Sequence, residues 1–430
     1  MPSAVRSVWY NMPELVLILI FERGAHDMLQ DDGLPFALLV SHVCRGWRIT
    51  AARSPSVWSA IPVHSSRPGL LEYFLARCGA VLPLSLCFHV KSKRTIASEV
   101  LALGLSQPER VREVHLRAHH GFAVFLYISQ LRQMSLPRLV HFEINLAKST
   151  NKCSLGPLPA ILNDNPPATL SSVVLEGVSF RFQSPMLKGL TRLTLADLPR
   201  EFAAPSYVTF RNLLLASPML EYLKLDHVFP VLTQVLDYGQ IVLPTLHTLD
   251  LVMEHDAPYV SDFFLILSAP HIHTLLFATS SPTTCEGFED ALRILRASFE
   301  NLHTLRLSSL FTRVLCNSGV QPILFDAFPE LRCFVLTAHS DRIVMHYLEP
   351  WIASTMEGCE VWPKLELLTV RSPFGDLESE GAATCVDDAL ELLADLRCSA
   401  ALPFDVWQEF IVPRSARTTT SPYPALPSYF

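Results

Sequence analysis

Ser217-Pro218-Met219-Leu220-Glu221-Tyr222-Leu223-Lys224-Leu225 is echoed by Leu243-Pro244-Thr245-Leu246-His247-Thr248-Leu249-Asp250-Leu251 and again by Phe328-Pro329-Glu330-Leu331-Arg332-Cys333-Phe334. Each opens on a turn-forming proline and continues as apolar-x-x-apolar-x-apolar. The last part of that pattern alternates with period two, which predicts a short strand with two apolar side chains on one face and the intervening residue on the other.

The same unit recurs along the chain. It appears as Val111-Val114-Leu116, Leu139-Phe142-Ile144, Leu170-Val173-Leu175, Leu190-Leu193-Leu195 and Ile272-Leu275-Phe277, and as Leu302-Leu305-Leu307 and Leu365-Leu368-Val370. With the first three examples this makes ten copies at a mean period of about 28 residues. The strands bury their apolar face only if something covers it, and segments such as Phe263–Ser268 and Phe288–Ser298 are helical candidates for that cover. Leu170 to Leu190 is short enough to leave little room for a helix. Stacked copies would give an α/β fold of parallel strands on one side and helices on the other.

From about Leu84 to Val370 this resembles an irregular leucine-rich-repeat solenoid, although the Asn that closes the commoner repeat is mostly missing. The resemblance implies a concave face lined by the side chains between and beside the inward pairs. The central ladder would read His115, Glu143, Val174, Thr194, Lys224, Asp250, Leu276, Arg306, Val335, Thr369, with Lys224 and Asp250 near enough to pair. Tyr222, Lys224, Asp250, Leu276 and Arg306 are the candidate contacts for a protein client, because aromatic and Arg side chains dominate interface energetics.

Ahead of the repeats stand Met12-Pro13-Glu14-Leu15-Val16-Leu17-Ile18-Leu19-Ile20-Phe21, then Val40-Ser41-His42-Val43-Cys44-Arg45-Gly46-Trp47-Arg48 and Pro55-Ser56-Val57-Trp58. Pro13 suits a first helical turn, and Glu14 meets the positive end of the helix dipole. Leu39, Val43, Trp47 and Ala51 recur every four residues and would stack on one helix face. The first helix is apolar nearly all round and needs cover on more than one side.

This pattern resembles an F-box in the form common in large fungal families. Met12 stands where that family usually has Leu, and Gly24–Pro35 is a longer inter-helix insert, expected to bulge out as a surface loop. The resemblance implies docking on a Skp-type adaptor, and through it on a cullin, by Met12, Pro13, Leu15, Ile18, Leu19, Leu39, Val43 and Trp47. The chain would then be the substrate-recognition subunit of a ubiquitin ligase complex. The alternative is an adaptor-binding scaffold outside any ligase.

The expected layout is a helical domain over 8–61, a linker over 62–69, the repeat region with a C-terminal cap over 70–412, and a disordered tail over 413–430. Within it, Leu70–Cys78 reads as a helix and Leu84–Phe88 as a strand. Phe374–Ala383 reads as a loop, and Val386, Ala389, Leu390, Leu393 and Leu396 mark an amphipathic capping helix.

Half of the 430 residues are hydrophobic and 17% are charged, which favours an ordered chain. A net charge of −7 gives no footprint for a nucleic-acid backbone. The ten cysteines form no C-x-x-C pair, as in a reducing compartment. Leu15–Phe21 is too short to span a bilayer and is flanked by charge, unlike a signal peptide. The expected setting is therefore the cytoplasm or nucleus, without membrane or nucleic-acid partners.

No Gly-x-Ser-x-Gly elbow, phosphate-binding Gly loop or His-Glu-x-x-His is present. The best metal candidates are His119-His120 and His271-x-His273, of which the latter could share a strand face but has no third ligand of Cys or Asp at a matching interval, and no His and acid can be assigned to Cys333. No catalytic residue, metal or cofactor is expected.

Overall fold

The repeated wording turns out to encode a repeated turn. In the computed structural model, which describes residues 12–29, 33–64, 68–90, 98–132, 134–147, 162, 165–199, 203–232, 239–253, 260–279, 292–296, 299–309, 320–338, 341–359, 361–373, 380–399 and 405–411, the N–H of the first apolar residue closes onto the carbonyl three residues back in most units, whereas that of Leu190 bonds to Ser217 Oγ. Leu139 bonds to Leu136, Leu220 to Ser217, Leu246 to Leu243, Ile272 to Ala269, Leu331 to Phe328 and Leu365 to Trp362, at 3.0–3.3 Å. In all six, proline follows the acceptor residue. Its fixed φ suits that turn position.

The chain divides into two compact units within the strand Tyr222–Asp226: Met1–Leu220 with Lys224–Val231, and Glu221–Leu223 with Leu232–Phe430. The first opens with helices α1 (Glu14–Asp27), α2 (Phe36–Val43) and α3 (Arg45–Arg53) and a 3-10 turn, Pro55–Trp58. It continues with β1 (Ala60–His64), α4 (Pro68–Arg77), β2 (Leu84–Val90), α5 (Ser98–Gly104), β3 (Val111–Ala118) and α6 (Gly121–Leu131). Strands β4 (His141–Leu146), β5 (Ser172–Glu176) and β6 (Arg192–Ala196) and a helix, Tyr207–Leu215, follow. Strands β1 to β6 pair in chain order, all parallel. Between β5 and β6 the structure has a 3-10 turn, Pro185–Leu187, in the short interval.

The second unit repeats the plan. Strands Thr248–Met253, Thr274–Thr279, Thr304–Ser309, Cys333–Ala338, Leu367–Pro373 and Asp405–Ile411 pair in chain order, again parallel. Helices Val260–Ile266, Val320–Ala327, Asp341–Met356 and Glu380–Ser399 connect them. The protein is thus α/β with parallel strands. In each unit one face of the strands carries the core: Leu116, Ile144, Val173 and Leu195 in the first, and Leu223, Leu249, Leu275 and Leu305 in the second, are at most 2% exposed. Each such side chain contributes about 1.5–3 kcal/mol of burial.

Several boundaries differ from expectation. Pro13 caps α1 from outside it (φ −54°, ψ 139°), and its carbonyl accepts from the N–H groups of Val16 and Leu17. The run Leu39–Ala51 is not one helix: Cys44 is extended and caps α3, its Sγ accepting the Trp47 N–H at 3.4 Å. The insert at Gly24–Pro35 does not wholly bulge outward, since α1 runs on to Asp27 and Leu29 is buried with Ala25, Ala60 and Cys87, against which Phe36 packs.

The stretch expected as a linker, Pro62–Gly69, holds the end of β1 and the start of α4, because Ala60–Val63 are buried as the first strand of the sheet. The C-terminal helix begins at Glu380, inside the segment read as a loop. It is not a terminal cap, because Asp405–Ile411 adds a further strand whose sequence lacks the leucine pattern. The tail at 413–430 lies outside the described residues. No described helix is long and apolar enough to cross a membrane.

Candidate functional site

Helix α1 has two apolar sides with opposite fates. Leu17, Phe21 and Ala25 are buried on the inner stripe, where Phe21 meets Trp47 with ring centroids 5.1 Å apart. Trp58 locks α3 from below: it is buried, donates Nε1–H to the Ala51 carbonyl at 2.7 Å and stands edge-on to Phe74. On the outer stripe Leu15 is 75% exposed and Leu19 64%, and α2 adds Val43 at 61%. Val16, Ile20, Leu39 and Ile49 are also exposed. Large side chains this open, on adjacent helices, form the kind of apolar surface that marks a contact site.

Of the residues expected there, Pro13, Leu15, Leu19, Leu39 and Val43 are exposed, whereas Met12, Ile18 and Trp47 are half-buried. Trp47 is drawn inward by Phe21, so the break at Cys44 moves it away from a continuous outer face. Val16, Ile20 and Ile49 were not singled out from sequence, because a helix apolar on all sides does not tell its inner stripe from its outer one.

The central row of the strands is in register. In the first unit His115, Glu143, Val174 and Thr194 are successive partners. In the second, Asp250, Leu276, Arg306, Val335 and Thr369 are. Arg306 is exposed, Asp250 and Leu276 are half-buried, and Val335 and Thr369 are buried. The Tyr222 hydroxyl lies 3.4 Å from Asp250 Oδ2, and Lys224 Nζ lies 4.0 Å from Asp226. Cys333 is half-buried and burial pushes its thiol pKa up, the reverse of what an activated nucleophile needs.

The row is not open throughout. His115 and Glu143 are buried, and beside them the His89 imidazole Nε2 lies 3.3 Å from the Leu29 carbonyl at the end of α1. His115 and Glu143 belong to a polar cluster. His115 Nδ1 is 2.8 Å from Glu143 Oε2, and His141 Nε2 is 3.5 Å from the same oxygen. His141 Nδ1 meets Ser172 Oγ at 2.8 Å, Ser85 Oγ donates to Glu113 at 2.8 Å, and Arg117 Nη2 is 3.5 Å from Glu143 Oε1.

The His115 imidazole, with Nε2 3.6 Å from Oε2, holds the Glu113 carboxyl pKa down at about 2, against the opposing effect of burial. Burial likewise works against the Glu143 carboxylate, yet His115 and His141 hold its pKa well below the usual range. Burial also opposes a charged His115, but its two glutamates outweigh that and raise its pKa.

Among the described residues, two groups bring three metal-ligating atoms within 4.8 Å of one another: His115, His141 and Glu143, and Asp197, Asp226 and His227. Neither contains the histidines weighed from sequence. His119 and His120 lie just past β3, and His271 and His273 are exposed at the foot of a strand. There His273 stacks on His247, with centroids 5.2 Å apart and planes 3° apart, and tilts toward His303 at 5.5 Å. The His115 group was hidden from local spacing because its members sit on two strands, although His115 and Glu143 are neighbours in the expected ladder. Compared with known protein families and with curated proteins, the chain matches none.

Proposed function

We propose that this protein is a substrate receptor: an F-box at its N-terminus docks on a Skp-type adaptor, and an irregular leucine-rich-repeat solenoid holds a protein client. The observation that carries the reading is the outer stripe of α1 and α2, where Leu15, Leu19 and Val43 remain exposed although Leu17, Phe21, Ala25, Ala37 and Val40 on the same helices are buried. Three short helices with a spare apolar face gain more by covering it with another protein than by leaving it in water.

The receptor contributes proximity and orientation, and the other ligase subunits perform the ubiquitin transfer. Client recognition is assigned to the second unit's row around Tyr222, Asp250, Leu276 and Arg306, where an exposed cation, an acid and an apolar side chain alternate with the core leucines. Cytoplasm or nucleus is the setting such a complex requires.

Reconstitution with purified adaptor and cullin tests the reading. Co-elution of all three on size-exclusion chromatography is expected. Adaptor without cullin would favour the scaffold outside a ligase, and neither would refute the receptor role.

A further inference from the structure

We propose that His115, His141 and Glu143 form a binding site for a divalent transition metal of the zinc class. The parallel register sets His115 opposite Glu143, and His141 two residues before Glu143 on β4, so all three side chains share one sheet face. Zinc held by nitrogen and oxygen at about 2.0–2.2 Å in a tetrahedron spaces its donors by roughly 3.3 Å. The two donor separations to Glu143 Oε2, 2.8 Å and 3.5 Å, bracket that value. Small side-chain shifts would admit the ion.

The surroundings are those of a ligand set rather than of a bare ion pair. A metal-bound imidazole is normally held at its other nitrogen. His141 offers Nε2 to the site and has Nδ1 on Ser172 Oγ at 2.8 Å. His115 offers Nδ1, while its Nε2 is buried, lacks a hydrogen bond and faces Glu113 Oε2 at 3.6 Å. Ser85 fixes Glu113 in turn at 2.8 Å. With the metal on Nδ1, the imidazole proton resides on Nε2 and points at that carboxylate.

The far oxygen of Glu143 lies 3.5 Å from Arg117 Nη2. Two imidazoles and one carboxylate suit zinc and its neighbours, not calcium or magnesium, which prefer oxygen alone. Three protein ligands leave a fourth position for water or a donor from a bound protein. His141, whose side chain is 21% exposed, marks the side from which it is reached.

The test uses the full-length chain, stripped with a chelator and titrated with zinc chloride by calorimetry, with cobalt chloride as a spectroscopic probe. One zinc per chain at submicromolar affinity is expected, with visible cobalt bands of a tetrahedral or five-coordinate site. His141→Ala should weaken zinc binding by about tenfold or more, and Ser172→Ala, acting through His141, by less. His119→Ala should leave it unchanged. A wild-type chain that binds no stoichiometric zinc overturns the proposal, and so does zinc binding that a folded His141→Ala variant retains in full.

Discussion

His115 Nδ1 stands 2.8 Å from Glu143 Oε2, joining residues 28 apart in sequence that are partners on neighbouring parallel strands. Both side chains are buried, so the pair cannot be broken without stranding a charge. In the metal-free protein, His115→Ala should lower the free energy of unfolding by about 3 kcal/mol, because the Glu143 carboxylate loses its main partner. Urea titration measures this. A loss below about 0.5 kcal/mol would mean that solvent reaches Glu143 as readily as His115 does.

Gly177 and Gly189 both adopt left-handed backbone, with φ of 73° and 68°, but only one is crowded. A side-chain carbon at Gly177 would lie 2.6 Å from the backbone oxygen of Leu146, whereas at Gly189 nothing lies within 4 Å. Gly177→Ala should therefore destabilise by about 2–3 kcal/mol and Gly189→Ala by about 1 kcal/mol. Equal losses in thermal denaturation would contradict the close approach of β4 to the β5 turn.

Arg397, 2% exposed, donates from Nη1 to the Val361 carbonyl at 2.6 Å and from Nη2 to the Trp362 carbonyl at 3.0 Å. Those carbonyls open the turn before the Leu367–Pro373 strand, and Trp362 itself has φ of 48°. Replacing Arg397 with Met removes both donors while keeping an apolar stem. A loss of about 2–4 kcal/mol is expected, with local opening around Val361–Leu365 seen first in hydrogen exchange. Unchanged protection there would show that the turn holds without the clamp.

The strands were legible because a proline turn and a period-two pattern fix both the start of a strand and the side its leucines take. Leu223, Leu249 and Leu275 are buried, as alternation requires, and the ladder residues Asp250 and Leu276 are in register. What composition and period could not carry was tertiary cover. The stretch Ala60–His64 has no repeat signature and is a strand only because β2 pairs with it, and Asp405–Ile411 likewise depends on the strand before it. The polar cluster was half visible, as two adjacent rungs. Its third member, His141, joins through the register of β3 and β4, a long-range relationship that no local spacing expresses.

The stacked histidines give a pH signature. Partial burial first, and then the positive charge of His247, His303 and His271, lower the His273 pKa from its usual 6.5. The folded value lies below the unfolded one, so protonation favours the unfolded chain. The contribution is intact above pH 6.5 and is lost as pH falls below it toward the folded value. An NMR titration should place His273 below 6.5, and His247→Asn should raise it. A His273 value at or above 6.5 would mean the rings do not interact in solution.

The central claim rests on the outer stripe of α1, and calorimetric titration of purified Skp-type adaptor into the full-length chain tests it most directly. Leu19 is 64% exposed while Leu17 and Phe21 beside it are buried, so Leu19→Asp changes the surface without entering the core. The account predicts one-to-one binding by the wild type and a loss of about 2 kcal/mol or more, roughly thirtyfold, in Leu19→Asp with its melting temperature unchanged. A wild-type chain that does not bind, or a folded Leu19→Asp variant that binds as tightly as wild type, would contradict it.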